Sequence, residues 1–148
     1  MSKDFKPSLY KSCGYFYLSL GDSNPKLAKT VSGFRPYVVN LSLAPSDLAI
    51  PGRTTCGAET LGPGGCRDGC LGAVTGRGNH PRVRAARIRK TRELFYDRRG
   101  FVKRLEIDLV RAEKYGRRSE WDGVVARLNT YSDRPWENYL DMEAFRLT

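Results

Sequence analysis

The run YVVNLSL, residues 37–43, alternates Val39, Leu41 and Leu43 onto one face and stops at Ala44-Pro45. This is the pattern of a strand half-buried against a core. Glycine- and proline-rich chain follows it as far as Asn79, with no helical or strand periodicity. A loop that long inside a compact domain is usually a functional element.

Two helices are expected beyond the loop. Pro81 suits the first turn of one spanning residues 81–96, with Asn79 as a cap and Ala85, Ile88 and Phe95 at helical spacing. The second runs over residues 101–115 with a stripe of Val102, Leu105, Leu109 and Ala112, and Gly116 stands in a C-terminal position after Lys114. Residues 15–20 (YFYLSL) read as a short strand ended by Gly21-Asp22, and residues 124–128 as a second core strand. A last short helix over residues 135–147 is expected after a Ser132 or Asp133 cap.

Strands separated by helices predict an α/β fold with at least one parallel crossover, either an open sheet or a partial βα-barrel-like arrangement. The 148 residues make one domain, 1–148. It is shortened or partial beside a closed barrel, which needs about 200 residues or more. If the strands at 37 and 124 are parallel neighbours, the loop at 44–80 and the polar segment after residue 128 leave the same carboxyl edge. Open sheets and βα barrels place their sites at that edge.

Three of the four cysteines, Cys56, Cys66 and Cys70, lie in this loop at C-x9-C-x3-C spacing. Thiolates on a flexible glycine loop can wrap zinc or an iron-sulfur cluster, with His80 or Cys13 as a fourth zinc ligand. Three reduced, unligated thiols fit the same residues. So does a nucleophilic thiol stabilised by Arg67, Arg77 and the following helix N-terminus, with His80 the one histidine available as a base, and a His80 that is no ligand would be a capping or solvent-exposed residue. Arg127, Asn129, Ser132, Asp133, Trp136 and Glu137 form the polar constellation of a pocket opposite the cysteine loop, although loop and cap duties would also use Ser132 and Asp133.

Charge points to a different class of partner. Lys and Arg number 26 against 16 Asp and Glu, a net charge of +10. Arg82, Arg84, Arg87, Arg89, Lys90 and Arg92 crowd the first helix. Such a helix can track the phosphates of DNA or RNA or hold an anionic cofactor, and it can equally be a solvated basic face. Aromatic side chains that would stack bases are missing from it before Phe95 and Tyr96. The glycines form neither G-x-G-x-x-G nor G-x-x-x-x-G-K-[ST] in a strand-loop-helix context. No apolar stretch reaches a membrane span, and no export signal precedes the first turn, so a soluble cytoplasmic protein is expected.

Several short motifs occur in one order: LSLAP, a cysteine and then C-x3-C-L, GRG, ARIRKT followed by LF, and RLN-x-x-SD-x-x-WE. Together, over residues 37–137, they resemble the phage gene-product-88 family, a resemblance that implies a bacteriophage protein and no particular activity. The cysteine loop, lying between a strand and a helix, also resembles distantly the cluster-binding loop of radical S-adenosylmethionine enzymes. The C-x3-C-x2-C spacing of that loop is not matched here.

Overall fold

The computed structural model describes residues 14–20, 34–57, 61–70, 80–118 and 121–141. Among these the order is β1 (Ser19–Leu20), β2 (Pro36–Asn40), α1 (Pro81–Tyr96), α2 (Arg98–Arg118), β3 (Gly123–Arg127) and a 3-10 turn (Trp136–Asn138). The strands make one sheet in the order β1-β2-β3. β1 pairs antiparallel with β2, Ser19 opposite Asn40, and β3 pairs parallel with β2, from Pro36 opposite Gly123 to Asn40 opposite Arg127. The parallel pair encloses both helices in its crossover, so the fold is α/β.

β2 carries the core as its alternation requires. Tyr37, Val39, Leu41 and Leu43 are fully buried, and they pack in one cluster with Leu94 of α1 and with Phe101, Leu105, Leu109 and Ala112 of α2. The sheet lies close to α2 because Gly116 carries no side chain: a Cβ there would stand 2.1 Å from Val124 Cγ2. Gly116 is therefore an interior helix residue and not the terminal one that the sequence suggests, and α2 continues to Arg118.

At the start of α2, Asp97 Oδ1 accepts the Gly100 N–H at 3.0 Å, an N-cap that divides α1 from α2. That bond, followed by the Arg104 guanidinium at 3.2 Å, holds the Asp97 carboxyl below the usual carboxylate range.

β1 is shorter than expected. Asp108, fully buried on α2, accepts the backbone N–H groups of Phe16 at 2.9 Å, Tyr17 at 2.7 Å and Leu18 at 3.2 Å. Donors committed to that carboxylate cannot enter the sheet ladder, so of residues 15–20 it is Ser19 and Leu20 that pair with β2. The Tyr17 ring stacks on Phe101 with centroids 4.2 Å apart.

β3 is an edge strand and not a second core strand. Val124 and Leu128 pack against the core, whereas Val125 is 46% exposed. The helix expected at 135–147 appears, among the described residues, only as the turn Trp136–Asn138, preceded by Pro135 without a side-chain cap. Residues 142–147 of it, Asn79 and Cys13 lie outside the described residues.

The inward face of α1 also differs from the expected one. It is made of Arg87, Lys90, Thr91 and Leu94, while Ala85 is exposed and Ile88 and Phe95 are half-buried. Each polar member has a distant partner. Thr91 Oγ1 accepts the Ala44 N–H at 2.9 Å, Lys90 Nζ donates to the Tyr17 carbonyl at 2.5 Å, and the Arg87 guanidinium lies 4.2 Å from the centroid of the Tyr131 ring. No helix among the described residues is long and apolar enough to cross a membrane.

Candidate functional site

The parallel register sends the chain after Asn40 and after Arg127 out of one edge of the sheet, and the two segments interlock there. Leu41 N–H donates to Arg127 O at 2.9 Å and Asp133 N–H to Thr55 O at 3.1 Å. Thr55, fully buried, donates its hydroxyl to Ala44 O at 2.7 Å. Cys56 Sγ accepts the Ser46 N–H at 3.4 Å and points its thiol to the Tyr131 carbonyl at 3.8 Å. Ser46 sits in the left-handed region at φ +51°, a conformation costing a residue with a Cβ about 1–2 kcal/mol. The cysteine loop and the polar segment therefore do meet at the carboxyl edge.

The polar segment is occupied with its own folding. Asn129 Oδ1 accepts Ser132 Oγ at 3.1 Å, Arg134 N–H at 3.1 Å and Trp136 Nε1 at 2.8 Å, and its amide donates to Arg134 O at 3.0 Å. Asn129, Ser132 and Trp136 thus form a clip that turns the chain. Arg127, Asp133 and Glu137 are exposed around it.

The cysteines occupy one side of this edge without converging. Asp47 pairs with Arg67 at 3.4 Å, which ties the segment carrying Cys66 and Cys70 to the turn that holds Cys56. Cys66 is exposed, Cys56 and Cys70 are half-buried, and all three are free thiols. Among the described residues no three His, Cys, Asp or Glu side chains form a group able to hold a metal ion. His80 is exposed at the N-cap of α1 and makes no side-chain capping bond.

The arginine block divides in two. Arg87 and Lys90 are each 8% exposed and belong to the interior. Burial, reinforced by the neighbouring Arg89 charge, pushes the Lys90 ammonium down to about 8. Arg82, Arg84, Arg89 and Arg92 remain exposed. Arg82, Arg89, Arg92 and Tyr96 follow one another at helical spacing, so they share one face.

Two open grooves flank that face where α1 gives way to α2. One, of about 570 Å³, is lined by Arg89, Arg92, Tyr96 and Arg104 among others. The other, of about 850 Å³, is lined by Tyr96, Arg98, Arg99, Lys103 and Tyr139 among others. Tyr96 belongs to both. The sequence predicts the second helix from residue 101; the cap at Asp97 starts it at Arg98 instead, and Arg98 and Arg99 become a cationic ridge on its first turn beside the exposed Tyr96 ring.

The profile of the gene product 88 family matches residues 18–148. The chain belongs to the gene product 88 family. The match spans β1 to the C-terminus, so the carboxyl edge and both grooves are parts of the family domain. No curated protein and no solved structure matches the chain.

Proposed function

We propose that this gene product 88 family member binds nucleic acid through the α1 face and the ridge that follows it. The observation that carries the reading is the division of the arginine block: Arg87 and Lys90 are taken into the core, and Arg82, Arg89 and Arg92 are left in a row leading to Arg98, Arg99 and Lys103. A row of cations along one surface neutralises successive phosphates and releases their counterions, which gives affinity independent of base sequence. Of the acidic side chains lining the two grooves, Glu93 accepts the Tyr17 hydroxyl at 2.6 Å and Asp97 caps α2, which leaves Glu106 beside the cations of the wider groove.

Titration of a labelled oligonucleotide at several salt concentrations tests the reading. Affinity is expected to fall steeply with salt, and Arg82→Glu with Arg89→Glu should weaken binding and flatten the slope by about one for each phosphate contact removed. Both side chains are exposed, so the variant keeps its fold. Binding that ignores salt and both charge reversals would refute it.

A second reading, an iron-sulfur cluster or zinc on Cys56, Cys66 and Cys70, is favoured by the Asp47–Arg67 pair that holds the cysteine segment at the sheet edge. It ranks second because the described thiols do not converge. Metal analysis and a visible spectrum of anaerobically prepared protein test it, and a colourless, metal-free, folded chain refutes it.

A further inference from the structure

We infer that the nucleic acid taken by this face is single-stranded, and that Tyr96 is the platform on which one of its bases stacks. The inference rests on the nucleic-acid reading above and gives it a substrate class. Tyr96 is the last residue of α1 and is 72% exposed. It is the most exposed of the large apolar side chains among the described residues.

The rings around it are already covered. Phe95 lies under Arg53 at 5.3 Å and Arg134 at 5.9 Å, and Tyr139 under Arg98 at 5.5 Å and Arg134 at 5.6 Å. Tyr96 alone of the three meets no other ring and no guanidinium among the described residues. Its π-face is the one left open for a flat partner.

The charges are placed for a strand passing over that ring. Arg89 and Arg92 line the groove on one side of Tyr96, where Arg104 is already bonded to Asp97 and the Tyr17 hydroxyl, and Arg98, Arg99 and Lys103 line the groove on the other. A backbone crossing from one groove to the other would keep a cation near each phosphate while its base turned down onto Tyr96. Cationic grooves interrupted by aromatic platforms bind single strands in this way, largely without regard to sequence. A duplex keeps its base faces stacked inside and has none to offer.

The test compares labelled oligothymidylate and oligouridylate with the oligothymidylate annealed to oligoadenylate, each titrated against the wild-type chain, Tyr96→Ala and Tyr96→Trp. Both single strands are expected to bind more tightly than the duplex. Tyr96→Ala should cost them ~10-fold or more and the duplex little, and Tyr96→Trp should retain the affinity. If single strands and duplex bind alike and Tyr96→Ala changes neither, stacking is overturned while nucleic-acid binding stands. If nothing binds, both readings fall.

Discussion

Lys90 and Tyr17 touch one another in the core and titrate in opposite senses. Lys90 is held down to about 8 by burial and by its arginine neighbours Arg89 and Arg87, against the pull of Asp108. The folded chain therefore releases this proton before the unfolded chain does, and stability rises with pH from about 8 to the ordinary lysine value near 10.5. Tyr17 is pushed up to about 12 by burial and by its hydrogen bond to the Glu93 carboxylate, with Arg104 opposing. The folded chain keeps that proton longer, so stability falls as pH rises from the ordinary value of 10.0 toward 12. The two windows together predict a urea midpoint that climbs above about pH 8, peaks near pH 10 and then declines. Lys90→Met should flatten the climb and leave the decline. A midpoint falling steadily between about pH 8 and pH 10 would contradict the burial of Lys90.

Among the elements, β2 was legible because its alternation of apolar residues is a local property, and Val39, Leu41 and Leu43 are buried as that alternation says. Both helices and the parallel crossover were legible for the same reason. The inward face of α1 was not, since Arg87, Lys90 and Thr91 are polar and become core residues only through Tyr131, the Tyr17 carbonyl and the Ala44 N–H, all distant in sequence. β1 was over-extended because nothing local shows that Asp108 takes three of its donors. Gly116 resembles a helix terminus in sequence, and its real duty is the close approach of α2 to Val124. Gly116→Ala places a Cβ against that side chain and should destabilise the chain by about 1–3 kcal/mol, read as a lower urea midpoint. An unchanged midpoint would mean that α2 and β3 are not packed this closely.

For the whole molecule, the net charge of +10 does not say which cations face outward. Guanidinium groups of Arg35, Arg53, Arg87, Arg98, Arg104, Arg111 and Arg134 lie over aromatic rings, and of these Arg98 and Arg104 also line the grooves at the α1–α2 junction. Composition left a polyanion partner and a solvated basic face equally open, and only the fold separates the buried Arg87 and Lys90 from the exposed Arg82, Arg84, Arg89 and Arg92. The same separation sets two surfaces apart: a carboxyl edge whose polar groups are mostly bonded to one another, and a junction of α1 and α2 that carries the exposed Arg89, Arg92, Arg99 and Lys103 and the exposed Tyr96 ring. Backbone amide shifts recorded by NMR during titration with oligothymidylate distinguish them directly. Changes concentrated at residues 89–103 and around Tyr139 are the predicted result; changes centred on residues 44–56 and 129–134, with the α1–α2 junction silent, would contradict it.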